Sequence, residues 1–113
     1  MRKISSILLL LFALITLSCE NTEGYLTEKF TVYGNCGMCK KTIEGALENV
    51  EGISTAEWNM SNDKMSVFFD PKVISLEDIH TKIAAVGYDT DQERAADEVY
   101  DKLHSCCKYE RPE

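Results

Sequence analysis

The sequence predicts an α+β domain, a βαββα(β) sandwich in which two helices cover one face of an antiparallel sheet, followed by a C-terminal helix. Three observations predict it. Apolar residues alternate at period two over residues 27–33, 53–60 and 64–70. They recur at helical spacing over residues 38–50 and 75–86. Turn-forming residues separate these runs: Gly34-Asn35, Gly52, Ser61-Asn62-Asp63, Asp70-Pro71 and Gly87.

Taken in order, Phe30 and Val32 alternate with Thr31 and Tyr33 in a half-buried first strand. The first helix carries Ile43, Ala46, Leu47 and Val50 on one stripe, and Gly52 ends it. Ala56, Trp58 and Met60 share a face of the second strand, and Met65, Val67 and Phe69 share a face of the third, so the two form a hairpin. Ser75 reads as the N-cap of the second helix, with Asp78 in the capping-box position. Leu76, Ile79, Ile83 and Val86 form its buried stripe, with His80 exposed beside them, and Gly87 stops it. Residues 88–91 leave room for a short last strand, which completes the ferredoxin-like split βαβ order. Ala95, Ala96, Val99, Tyr100 and Leu103 then recur at rough helical spacing, predicting a third amphipathic helix over residues 91–104. Residues 105–109 are expected to end the ordered part.

The chain has 113 residues, 12 Lys and Arg against 19 Asp and Glu, and a net charge of −7. So acidic a chain repels phosphate backbones, which argues against nucleic-acid binding and leaves room for a cation or a basic partner. The acidic stretch over residues 89–101 reads as a solvated face. The N-terminus reads as a leader. Arg2 and Lys3 precede an apolar run over residues 7–17, too short to span a bilayer as a stable helix. Thr16-Leu17-Ser18-Cys19 resembles a lipobox, so Cys19 is expected to be lipidated and to tether the chain to a membrane through its lipid anchor. The expected location is therefore a membrane-anchored lipoprotein on a periplasmic or outer-membrane face, an oxidising setting for the other four cysteines.

Cys36-Gly37-Met38-Cys39 lies between the first strand and the first helix. Two thiols spaced in this way reach one ion from a turn, and the helix N-terminus favours thiolate, as do Lys40 and Lys41. Thiolates are soft donors suited to Cu(I), Hg(II) or Zn(II). A two-thiolate site stays open to an incoming thiolate, as a carrier requires. A Cys-x-x-Cys disulfide closes too small a loop to stabilise much. No catalytic base, nucleophile or phosphate loop is visible, so an enzyme is not expected.

Residues 27–91 resemble the heavy-metal-associated domain family, which includes copper chaperones, P-type ATPase metal-binding modules and mercuric-ion-binding proteins. Tyr33-Gly34-Asn35-Cys36-Gly37-Met38-Cys39 corresponds to the family's Gly-Met-x-Cys-x-x-Cys loop, Val50-Glu51-Gly52-Ile53 to the step into its second strand, Phe69-Asp70-Pro71 to the end of its third, and residues 83–88 to the close of its second helix. The resemblance implies that Cys36 and Cys39 are the metal ligands and that Tyr88 stands behind them, close to the site. Three departures are visible. Gly34 stands where the family has a Met beneath the loop, the fourth strand is short or absent, and a cysteine-bearing extension follows. Met38 lies between the cysteines as a possible thioether neighbour. The expected division is a lipoprotein signal peptide over residues 1–18, an anchor linker over 19–26, the heavy-metal-associated domain over 27–91 and a helical extension with its Cys-Cys pair over 92–113.

His104, Cys106 and Cys107 form a second donor set. Three readings are open. The tail folds back and adds Cys106 or Cys107 to the Cys36 and Cys39 site; it binds a separate ion with help from His104; or its cysteines form disulfides. The function expected is a monomeric carrier that takes Cu(I), with Hg(II) or Zn(II) as the other candidate ions, and passes it by thiolate exchange to a metal transporter or cuproprotein. The alternatives are a thiol–disulfide redox module and a structural lipoprotein held by Zn(II) or disulfides.

Overall fold

The structure is a computed structural model and describes residues 21–113. The expected leader over residues 1–18 and the lipidation site Cys19 lie outside the described residues. Strand β1 (Leu26–Thr31) leads into helix α1 (Gly37–Gly45), followed by β2 (Ile53–Asn59), β3 (Lys64–Phe69), helix α2 (Leu76–Ala84), helix α3 (Asp97–Asp101) and a 3₁₀ turn (Ser105–Cys107). The sheet order is β1-β3-β2, antiparallel throughout. A single antiparallel bridge, Val32 to Thr90, stands where a fourth strand would add to β1. This is the expected ferredoxin-like βαββα(β) arrangement, with its last strand reduced to that bridge.

The period-two pattern places Phe30 and Val32, Trp58, and Met65, Val67 and Phe69 on the covered face of the sheet. Cys39, Ile43 and Leu47 from the α1 segment and Ile79 and Ile83 from α2 close over them. Ser75 caps α2, its hydroxyl accepting from the Asp78 N–H at 3.1 Å. Gly87 follows that helix at φ +103°, a conformation that favours glycine.

Several expectations change. Helix α1 ends at Gly45 rather than reaching Val50, because the next amides tighten onto closer carbonyls: Leu47 N–H to Glu44 at 3.1 Å and Glu48 N–H to Gly45 at 3.3 Å. Met60 does not share the burial of Trp58; it lies past the end of β2 and is exposed. His80 is buried, not exposed, because the segment after Gly87 passes beside it and sets the Thr90 hydroxyl 2.6 Å from its Nδ1. The third helix is only five residues long. Side chains capture the amides before it: Thr90 Oγ1 accepts from Gln92 and Glu93, and Asp89 Oδ1 accepts from Ala95 at 2.7 Å. Such local bonds compete with helix formation. Asp89 itself, read as part of a solvated face, is fully buried.

Nor does order end at Tyr109. Its buried ring stacks on Tyr88 at 5.6 Å and meets Tyr100 edge-on at 5.2 Å. Its hydroxyl donates to the Gly87 carbonyl at 2.9 Å and accepts from the Asp89 N–H at 2.8 Å. Arg111 then pairs with Asp89 and Asp97 and donates to the Ala95 carbonyl at 2.6 Å. The tail is thereby fixed along the side of the domain that carries the cysteine loop.

Candidate metal centre

Cys36 precedes α1 in extended conformation, and Cys39 sits in its first turn. The Lys40 N–H donates to the Cys36 carbonyl at 3.0 Å, so the loop closes directly into the helix. The two sulfurs are 3.5 Å apart. Cys39 is fully buried, whereas Cys36 is half-buried and accessible. The Cys39 N–H and then the Cys39 thiol stabilise negative charge on Cys36, holding its pKa at about 7. Lys40, expected to add positive charge at the loop, is engaged elsewhere. Its ammonium donates to Glu44 at 2.7 Å and to the Trp58 carbonyl at 2.6 Å.

Trp58 forms the floor of the loop. Its indole N–H donates to the Val32 carbonyl at 2.9 Å. The ring presses against Gly34 so closely that a Cβ there would stand 2.9 Å from Cη2 and 3.0 Å from Cζ2. Gly34, the departure noted at the loop, is thus matched by an indole that fills the space beneath it.

The tail cysteines arrive beside this loop. Cys107 Sγ is 3.9 Å from Cys36 Sγ across 71 residues of chain, and Cys106 Sγ is 3.8 Å from Cys107 Sγ. Cys36, Cys106 and Cys107 place their sulfurs within 4.8 Å of one another. The tail thus folds back beside the loop, bringing Cys107 next to Cys36. His104 is not brought into this cluster; it is exposed at the start of the 3₁₀ turn. Met38 is exposed and accepts a weak contact from Cys106, Sγ to Sδ 3.8 Å.

Cys107 is buried. Burial, then the Cys39 thiol, pushes its pKa up to about 12. Tyr88 lies behind these sulfurs, fully buried, its hydroxyl without a hydrogen-bond partner among the described residues. Burial, then the Cys39 and Cys107 thiols beside it, raises the Tyr88 pKa. Sequence reasoning read Asp89 as solvated, took Tyr109 as the end of the ordered part and assigned nothing to Arg111, yet these three fix the tail.

The heavy-metal-associated domain family matches residues 35–89. Over 55 residues the chain is 36% identical to the copper chaperone CopZ of Staphylococcus aureus, covering 49% of this chain and 81% of that protein. The chain belongs to the heavy-metal-associated domain family. Among solved structures, this family member is similar to the N-terminal domain of a potential copper-translocating P-type ATPase from Bacillus subtilis in its Cu(I)-loaded state. That match has 28% identity and a TM-score of 0.54, and covers 57% of this chain and 81% of that one. It is also similar to the N-terminal domain of the zinc(II) ATPase ZiaA in its apo form, at 36% identity and a TM-score of 0.52, covering 58% of this chain and 94% of that one.

These relatives correct one expectation. A membrane-anchored lipoprotein on a periplasmic or outer-membrane face does not agree with homologues that are copper chaperones and N-terminal domains of P-type ATPases. The leader pattern rested on residues 1–19 alone, outside the matched segment. The heavy-metal-associated fold and its cysteine cluster make a soft-metal binding site of the chaperone type, suited to Cu(I) or a related soft ion.

Proposed function

We propose that this protein carries Cu(I), captured by Cys36 and Cys39 and handed to an acceptor by thiolate exchange. The observation that carries the reading is the Cys36–Cys39 pair at the start of α1: two sulfurs 3.5 Å apart, one accessible with its pKa at about 7 and one buried. At neutral pH Cys36 is substantially thiolate, so it attacks an incoming ion without first losing a proton. Cys39 then closes on the ion from below. The exposed side of Cys36 leaves a path for an acceptor's thiolate, and each exchange replaces one sulfur–metal bond with another. The protein is a binding protein and not an enzyme.

Likeness to CopZ favours copper, and likeness to P-type ATPase N-terminal domains favours a metal transporter as acceptor. In this reading residues 27–91 form the carrier domain and residues 92–113 an extension that belongs to the site. The test is a Cu(I) competition titration of the reduced protein against a chromophoric chelator. One ion bound tightly by the wild type, and lost in Cys36→Ser with Cys39→Ser, is the expected result. Equal competition by the double variant overturns the reading. Zn(II) is a second reading, favoured by the presence of four nearby thiols; preferential retention of Zn(II) over Cu(I) in the same titration would select it.

A further inference from the structure

The carrier reading places the tail at the site without saying what its cysteines do there. We propose that Cys107 is a resident third ligand of the carried ion, so that the tail is a strap that closes the site and must yield its sulfur on transfer. This rests on the carrier reading.

Sulfur geometry is the first argument. An ion bonded to sulfur at about 2.3 Å sets its sulfurs about 4.6 Å apart in a linear pair, about 4.0 Å apart in a trigonal set and about 3.8 Å apart in a tetrahedral one. The 3.5 Å between Cys36 and Cys39 is shorter than all three and furthest from the linear spacing, and the 3.9 Å between Cys36 and Cys107 falls between the trigonal and tetrahedral spacings. The fold already holds Cys107 beside Cys36, the sulfur that is also paired with Cys39.

Anchoring is the second. Cys107 is not on a free tail. Its N–H donates to the His104 carbonyl at 2.8 Å, and two residues on Tyr109 is pinned to Gly87 and Asp89. Arg111 then locks the segment to Asp89 through two bonds of 2.8 Å. Buried cysteine often serves only as a small hydrophobe. Here, however, the buried sulfur faces the accessible member of a Cys-x-x-Cys pair. Cys106 lies within 4.8 Å of Cys36 and Cys107 as well, but it is exposed and its thiol turns to Met38.

Three thiolates hold a soft ion more tightly than two and leave it less exposed. An acceptor thiolate therefore displaces Cys107 rather than filling a vacant position. Arg111 is the positioning residue for this step, because it holds the strap down without touching the ion.

The test uses the reduced full chain with one equivalent of Cu(I). X-ray absorption at the copper edge counts the sulfurs, and competition with a chelator gives affinity and release rate. The expected count is three in the wild type, two in Cys107→Ser and three in Cys106→Ser. Cys107→Ser is expected to lose about tenfold or more in affinity. Arg111→Ala, which keeps every sulfur, is expected to release copper to the chelator several-fold faster; circular dichroism checks that both variants stay folded. A wild-type count of two or four, or a count that falls in Cys106→Ser and not in Cys107→Ser, overturns the proposal. So does release from Arg111→Ala at the wild-type rate. If Cys36→Ser with Cys39→Ser binds like the wild type, the carrier reading itself fails. If that variant loses binding while Cys107→Ser keeps wild-type count and affinity, only the strap fails.

Discussion

Arg111 grips Asp89 through two charge-assisted hydrogen bonds of 2.8 Å, and Asp89 is completely enclosed. The pair ties the last residues of the chain to the segment just after Gly87. Removing the guanidinium strands a buried carboxylate, a larger loss than neutralising the acid, because Asn at 89 still offers an oxygen to the Ala95 N–H. Arg111→Ala is therefore expected to cost about 3 kcal/mol, near the low end for buried pairs because the guanidinium keeps some contact with solvent. Asp89→Asn is expected to cost less. Urea unfolding of both variants orders them; an equal or reversed order refutes the account.

The same pair sets an acid limit. Burial alone would raise the Asp89 carboxyl, but the bonds from Arg111 and the Ala95 N–H outweigh it and hold the pKa below 3.8. A group with a lowered folded pKa contributes stability that is full above its unfolded value and is lost as pH falls through the folded one. Tail attachment is thus expected to be unchanged from neutral pH down to about 4 and to weaken below it. The Ala95 amide resonance, whose proton rests on Asp89, reports this directly.

His80 predicts a second pH dependence in a different window. Thr90 Oγ1 accepts from the Gln92 and Glu93 amides, so its own proton goes to His80 Nδ1, leaving the imidazole proton on Nε2. That nitrogen is buried without a hydrogen-bond partner among the described residues. Burial lowers the His80 pKa below 6.5, partly opposed by Asp91 and Glu93. The unfolded chain therefore takes up the proton first, and stability falls as pH drops through 6.5 until the folded pKa is reached. Urea midpoints at pH 7.5 and pH 5.5 are expected to differ in the wild type and to converge in His80→Phe.

Gly34 and Trp58 form a steric pair. A Cβ at 34 would meet the indole at 2.9 Å, and the ring is held by its bond to Val32. Gly34→Ala is expected to destabilise the protein by about 1–3 kcal/mol through overpacking. Adding Trp58→Phe opens the space, so the double variant is expected to lose less than the sum of the single changes. Strict additivity in urea unfolding would mean that the two residues do not interfere.

Thiol reactivity gives the simplest check on the site. Alkylation follows the thiolate fraction and access. In the reduced, metal-free protein, Cys36 is expected to react with a midpoint near pH 7, and buried Cys107, its pKa at about 12, is expected to stay protected. Peptide mapping after a short pulse of iodoacetamide separates the two. Rapid labelling of Cys107 in the folded protein would contradict this order.

What was legible in the sequence was local. Met65, Val67 and Phe69 announce one face of a strand, Ser75 announces a cap, and Cys36-x-x-Cys39 announces a soft-metal loop. What escaped depends on chain that arrives from far away. The burial of His80 requires Thr90 to pass beside it. The spacing of Ala95, Val99 and Leu103 is helical, yet Asp89 and Thr90 remove three amides from that helix before it starts. Asp89 looks like any other acid in an acidic stretch until Arg111 is placed against it. Gly34 looks like a lost side chain until Trp58 is seen beneath it.

The closeness of Cys107 to Cys36 has a consequence for competition among thiols. A donor held beside its target by the fold of its own chain acts at an effective concentration on the order of millimolar or above when the geometry fits. Free thiols in solution thus face an internal rival at the very sulfur they would have to approach. A small monothiol gains little by displacing one tethered sulfur, since that sulfur returns before the next can be replaced. An acceptor that presents two cysteines together, or that first pries the strap from Asp89, escapes this penalty. The anchoring of the tail beside the loop is in this sense a filter on who can take the ion.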